Sequence, residues 1–225
     1  MKRACSYIYV ILFIIIFLPH VVWGSNNDDH SSYAQLNQES ILMDIIYASA
    51  CDNLNAVKHI LNSNEFKNGN VNINAMVKLN VECTVLQAAC SFGCGDIVDL
   101  LLWYHADPLI QDPNGNAAAH YAWKQGAVDI IKALVSYGGT ACINVKNNNQ
   151  ITPLHLAVCR KQPHVVAQLI EQKADIDARD YNGNTPAHIA KYVKAERSYK
   201  LLLAAGTDLS IINKKGQTAG WELLE

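Results

Sequence analysis

From about residue 41 onward, apolar positions return in pairs of short stripes separated by polar turns. The clearest unit runs from Thr152 to Asn184. Leu154, Ala157 and Val158 fall at i, i+3 and i+4, which places them on one face of a short helix. Pro153 sits at the first helical position, where its missing N–H takes nothing from the helix. A second stripe follows at Val165, Val166, Leu169 and Ile170. Asp180-Tyr181-Asn182-Gly183 then reads as a turn, with the glycine supplying a positive φ. The unit therefore predicts two helices followed by an extended finger, and one such unit alone cannot bury both apolar stripes.

The unit recurs. Thr152-Pro153-Leu154-His155 returns as Thr185-Pro186-Ala187-His188, a step of 185 − 152 = 33 residues, and a further 33 reaches Thr218. Going back, equivalent openings stand at Ala117, Thr84 and, in degenerate form, Met43, at steps of 35, 33 and 41. A 33-residue period with a Thr-Pro-Leu-His opening resembles the ankyrin repeat. The resemblance covers nearly everything after residue 40. It implies an all-α repeat fold: an ankyrin-repeat solenoid of about five helix-turn-helix repeats, starting near 43, 84, 117, 152 and 185, with a C-terminal half-repeat from 218. The repeat domain is expected over 41–225.

Departures from the pattern carry their own expectations. The first repeat, about Ile41 to Asn74, is more polar than the rest (Asp44, Asp52, Asn53, Asn55, Lys58, His59), as suits a cap with one wet side. Eight residues beyond the period fall near Asn62 to Asn74, either as a solvated long finger or as a binding loop. Repeat 3 has Ala119 where the family has Leu and Trp123 where it has a small residue. These two share a helix face, so the indole is expected to fill the volume left by the missing Leu. Two extra residues fall near Gly138-Gly139-Thr140. Lys161 and Lys194 replace the usual glycine between helices, and a left-handed conformation is expected of them.

Ahead of the repeats, Met1-Lys2-Arg3 is followed by an apolar run from Tyr7 to Leu18, ended by Pro19 and His20. Val22 and Gly24 then precede polar Ser25-Asn26-Asn27-Asp28-Asp29. This is the layout of a secretory signal peptide, 1–24, cleaved after Gly24. It is bacterial in type and also compatible with a eukaryotic secretory chain. The alternative is an uncleaved anchor, Ala4 to Trp23, although a span needs about 20 apolar residues. Residues 25–40 are polar and aperiodic and are read as a flexible leader. Export to the periplasm or the exterior is the expectation, with membrane anchoring as the alternative.

Half of the residues are hydrophobic and 17% are charged, which fits a folded chain rather than a disordered one. The net charge of −2 becomes −4 without Lys2 and Arg3, and no basic stripe offers a footprint for nucleic acid. Cys5 lies in the signal, leaving Cys51, Cys83, Cys90, Cys94, Cys142 and Cys159. Their even number in an exported chain permits disulfides. A stack held by neighbour packing needs none, and free thiols are expected, with Cys90 in the core. No Cys/His spacing of the zinc type occurs.

His120, His155 and His188 occupy one repeat position. In the family this His ties adjacent turns by hydrogen bonds, and copies about 10 Å apart, the spacing of packed helices, are too distant to share a metal. No phosphate loop, metalloprotease helix or nucleophile elbow is present, and no metal or cofactor is expected. An enzyme would need a catalytic segment outside the repeats, and no such stretch is long enough.

The resemblance implies protein binding on a concave face made by finger tips and first helices. Carried over by position, the finger residues are Pro113, Asn114 and Asn116; Asn148, Asn149 and Ile151; Tyr181, Asn182 and Asn184; Lys214, Lys215 and Gln217. The first-helix residues are Ser91 and Phe92, Lys124 and Gln125, Cys159 and Arg160, Tyr192 and Val193. Phe92, Arg160, Tyr181 and Tyr192 stand out, because aromatic and Arg side chains are the usual hot-spot types. Phe92, Asn114, Asn116, Lys124, Asn148, Asn149, Arg160, Tyr181, Asn182, Asn184, Tyr192 and Lys214 are the selected contact residues. The partner is another protein, and the asymmetric capped stack is expected to be a monomer. Bacterial members of the family serve as host-targeting effectors and as immunity or accessory factors for enzymes, and the residues do not separate these roles.

Overall fold

The computed structural model describes residues 30–78, 82–122 and 127–220. Five helix pairs follow one another: α1 (His30–Ala50) with α2 (Leu54–Leu61), α4 (Val85–Phe92) with α5 (Gly95–Trp103), α6 (Ala118–Tyr121) with α7 (Ala127–Gly138), α9 (Pro153–Cys159) with α10 (Pro163–Glu171), and α11 (Pro186–Tyr192) with α12 (Glu196–Ala204). One-turn helices α3 (Asn64–Lys67) and α8 (Ala141–Asn144) lie in two of the connections. The first helices form one row, α1 on α4, α4 on α6, α6 on α9 and α9 on α11. The second helices form a parallel row, α2, α5, α7, α10 and α12. A single apolar core runs between the rows from Leu42 to Ala219. Each pair thus buries its stripes only by lying against its neighbours, as the periodicity requires. No helix of the described residues is long and apolar enough to cross a membrane.

Local chemistry starts and stops the helices where the sequence places them. The Thr84 and Thr152 hydroxyls accept the backbone N–H groups of Gln87 and His155 at 3.2 and 3.5 Å, closing capping boxes. Gly93 ends α4 at φ +85°. The turns after α9 and α11 put Lys161 and Lys194 at φ +54° and +55°, the left-handed conformation expected of them. Such a conformation presses a Cβ against the following carbonyl. Lys161→Gly and Lys194→Gly are therefore each expected to raise the unfolding free energy by about 0.5–1 kcal/mol, net of glycine's greater chain entropy. Urea denaturation of the two variants checks this.

The N-terminal expectation needs correction. Helix α1 begins at His30, within the stretch read as a flexible leader. Leu42, Ile45 and Ile46 anchor its C-terminal half in the core. Upstream, Ala34, Gln35, Leu36, Gln38 and Glu39 are good helix formers with no Gly or Pro among them. An existing helix extends through such residues without a new nucleation cost. The Gln38 carboxamide oxygen also accepts the Asn72 N–H at 3.2 Å, tying α1 to the first finger.

The long first finger is exposed over most of residues 62–70 and is pinned at a few points. Ser63 caps α3, and Phe66 meets Tyr104 edge to face with ring centroids 5.8 Å apart. Val71, Ile73 and Val77 are buried. Beyond them β1 (Val77–Lys78) pairs antiparallel with β2 (Glu82–Cys83). The surplus near Gly138 lengthens α7, and α8 follows with Cys142 and Ile143 in the core. Trp123, Lys124 and Gln125 lie outside the described residues, as do the signal segment and residues 221–225 of the half-repeat. In the half-repeat, Thr218 bridges Ile212 antiparallel and the Ala219 carbonyl accepts the Tyr199 hydroxyl at 3.0 Å.

Candidate protein-interaction surface

The repeated histidines hold each finger to the repeat before it. His155 Nδ1 accepts the Thr152 N–H at 3.3 Å, and Nε2 donates to the Asn184 carbonyl at 3.1 Å. A backbone N–H can only donate, which fixes the proton on Nε2. His120 links Ala117 N–H and the Ile151 carbonyl in the same way, and His188 links Thr185 N–H and the Gln217 carbonyl. In repeat 2 the position is Gln87. Its oxygen accepts the Thr84 N–H at 2.8 Å, and its Nε2 donates to the Ile110 and Asn116 carbonyls. A carboxamide thus reproduces the imidazole's one acceptor and one donor.

Burial, the larger effect, holds His120 and His155 below the ordinary imidazole value, against the opposing pull of their hydrogen bonds to the Ile151 and Asn184 carbonyls. Protonation would also aim a second N–H at a backbone donor. The folded state therefore binds these protons less readily than the unfolded chain. Their contribution to stability is whole above the ordinary histidine value of 6.5 and is lost as pH falls below it toward the depressed folded values. Urea midpoints measured from pH 7.5 to 5 are expected to fall over that window.

A second set of bonds knits the finger tips. The carboxylates of Asp112 and Asp180 and the amide oxygens of Asn147 and Asn213 each accept two N–H groups of their own turn. Between fingers, Asn148, Tyr181 and Lys214 donate their N–H groups to the carbonyls of Asn114, Asn149 and Asn182 at 2.9–3.1 Å. Gly115 and Gly183, both at positive φ, let these strands approach.

A family model for ankyrin repeats (three copies) matches residues 45–147, 85–180 and 139–213. The chain belongs to the ankyrin-repeat family. Similar proteins include NF-kappa-B inhibitor alpha of Sus scrofa, 49% identical over 53 residues, 24% of this chain and 17% of that protein. B-cell lymphoma 3 protein homolog of Mus musculus is 30% identical over 171 residues, 75% of this chain and 37% of that protein. E3 ubiquitin-protein ligase KEG of Arabidopsis thaliana is 28% identical over 136 residues, 60% of this chain and 8% of that protein. The matched segments thus span between 8% and 37% of these relatives' own length. Ankyrin repeats are a protein-binding architecture, and the surface is read accordingly.

On this ankyrin stack the selected residues divide into two groups. Asn116 and Asn184 are spent on the framework. Each donates its amide to the aspartate of its own finger, Asp112 or Asp180, and accepts the Asn147 or Asn213 amide from the next. Asn114, Asn148, Asn149 and Asn182 are exposed at the tips, with their backbone groups in the ladder. Tyr181 is 66% exposed, and the Lys214 ammonium lies 4.1 Å from its ring centroid. Tyr192, at the end of α11, is 87% exposed. Phe92 and Arg160 are exposed at the ends of α4 and α9.

Three exposed rings were not among the selected residues: Tyr47, Trp103 and Tyr137. Trp103 and Tyr137, 64% and 52% exposed, extend the apolar runs of α5 and α7. Register against the buried positions of α10 is the signal that separates them from the core. The six cysteines of the described residues are free thiols, with Cys90, Cys94 and Cys142 buried. Burial pushes the Cys142 thiol up to about 11 and Cys90 further, so both stay protonated and unreactive.

Proposed function

We propose that this chain is an exported, non-enzymatic ankyrin-repeat protein that binds another protein through its concave face and finger tips. The observation that carries the reading is the pair of exposed tyrosines, Tyr181 and Tyr192, presented on elements locked by the tip ladder and the histidine bonds. Rigid aromatic side chains give contact area with little ordering entropy to lose on binding. The ring nitrogens of His120, His155 and His188 are all spent on structural bonds, which speaks against a catalytic role for them. The name of one relative, an inhibitor of NF-kappa-B, supports a mode in which such a stack acts by occupying a partner. Export rests on the signal-like segment ending at Gly24.

Two measurements test the reading. The first is mass spectrometry of the mature N-terminus in membrane and soluble fractions of a secretion-competent cell. A soluble chain beginning at Ser25 supports export, whereas an intact Met1 in the membrane replaces it with an anchored scaffold. The second compares cross-linked partners of the wild type with those of Tyr181→Ala/Tyr192→Ala. A partner lost from the variant supports the surface, and one retained undiminished removes it.

A further inference from the structure

Charge is divided unevenly over the stack. From Thr84 to Ala122 the chain carries Asp96, Asp99, Asp107 and Asp112 and no Lys or Arg. The fingers and first helices of the C-terminal half, 146–160, 179–193 and 212–217, carry Lys146, Arg160, Arg179, Lys191, Lys214 and Lys215 against Asp180, 6 − 1 = +5. The turns, second helices and connections between them, 161–178 and 194–211, carry five basic and five acidic residues, 5 − 5 = 0. The equivalent fingers and first helices of repeats 2 and 3, 78–92 and 111–125, also sum to zero, 2 − 2 = 0. In a chain of net charge −2, the positive excess thus sits on one kind of segment in one half of the stack. Along the sequence the six cations are spread over 70 residues, from Lys146 to Lys215. Stacking gathers them. Lys146 and Arg179, for example, hold one finger position in successive repeats, and such positions recur at about 10 Å, the spacing of packed helices.

Neutral groups hold three of these cations in place. Arg179 Nη2 donates to the Ile212 carbonyl at 2.9 Å, reaching the next finger. Lys191 Nζ donates to the Gly220 carbonyl, and the Lys214 ammonium lies over the Tyr181 ring. A carbonyl or an aromatic face orients a cation without cancelling its charge. The carboxylate of Asp180 is turned to its own finger, where it accepts the Asn182 and Asn184 N–H groups and the Asn184 amide. All six cations are exposed, and Tyr181, Tyr192 and Ile212 are exposed among them. The ladder from Asn149 to Tyr181 and from Asn182 to Lys214 fixes the finger backbones that carry most of these groups.

We infer that the fingers and first helices of the C-terminal half bind an acidic, extended segment of a partner protein, in which carboxylates alternate with aromatic side chains. The inference rests on the concave-face reading and adds the partner's chemistry to it. Carboxylates complement the fixed cations, and the partner's rings cover Tyr181, Tyr192 and Ile212. Two repeat steps, about 20 Å, match about six residues of extended chain. The carboxylate is favoured over a phosphodiester because the surface belongs to a protein-binding architecture.

The test is fluorescence anisotropy with the full chain. The probe is a labelled, blocked twelve-residue peptide repeating Glu-Phe-Glu-Gly. Its comparators are the same peptide with Gln for Glu, the same peptide with Ser for Phe, and a twelve-residue uridine oligonucleotide. The acidic aromatic peptide is expected to bind about tenfold or more tighter than either peptide comparator, to outbind the oligonucleotide, and to weaken as salt rises. Lys146→Glu/Lys215→Glu is expected to weaken it by about tenfold or more. Lys173→Glu/Lys200→Glu makes the same change in net charge on the neutral segments and is expected to change affinity less than about twofold. Melting curves check that both variants fold, and the wild-type comparison of probes needs neither. Equal binding of the Gln peptide, tighter binding of the oligonucleotide, or equal loss in the two variants overturns the inference. The cross-linking of Tyr181→Ala/Tyr192→Ala separates the two readings. A cross-linked partner lost from that variant but retained by Lys146→Glu/Lys215→Glu leaves the concave face standing and removes its acidic partner.

Discussion

Replacing His155 with alanine lowers the unfolding free energy by about 2–4 kcal/mol, while glutamine at the same position restores most of it. The imidazole is buried between repeats 4 and 5 and makes one bond in each direction. Truncation leaves the Thr152 N–H without its acceptor and takes one of two donors from the Asn184 carbonyl, which keeps the Asp180 N–H, and an orphaned buried polar group costs about 1–3 kcal/mol. The lost ring adds a cavity between neighbouring repeats. Glutamine is the specific control because Gln87 already performs both bonds in repeat 2, at 2.8–2.9 Å. Denaturant melts of His155→Ala and His155→Gln decide it: equal loss in both would mean that volume, and not hydrogen bonding, holds the finger. His155→Gln also removes one of the two rings held below the ordinary imidazole value, so its midpoint is expected to vary less between pH 7.5 and 5.

Gly115→Ala is expected to cost about 2–4 kcal/mol, and Gly216→Ala only about 1 kcal/mol. Both glycines stand at the same turn position, with φ +79° and +74°. They share the left-handed strain that a Cβ introduces. They differ in what the Cβ would meet. At Gly115 it would lie 2.5 Å from Asn148 Oδ1 and 2.6 Å from Asn148 N, where the next finger bonds to the Asn114 carbonyl. The backbone there can yield only by breaking the ladder. At Gly216 nothing stands within 4 Å. The difference between the two melts isolates close approach from backbone strain. A matched loss at both sites would show that the tip ladder contributes little.

Much of this was legible in the residues. The 33-residue step is a direct consequence of the fold, because every repeat must present the same two stripes, turn and finger to an identical neighbour. Helix starts at Thr84, Thr152 and Thr185 and the left-handed turns at Lys161 and Lys194 follow from local bonding and sterics, which operate over a few residues. What lay beyond the sequence depended on neighbours far along the chain. Helix α1 reaches back to His30 because a buried half already exists to extend. Asn116 and Asn184 looked like contact residues by position, yet their amides are consumed by asparagines 29–31 residues away. The sequence by itself determined the architecture and its phase, since periodicity encodes which faces must be buried. Only the tertiary structure decided which polar groups remain free for a partner, because hydrogen-bond satisfaction is settled between repeats and leaves no local pattern.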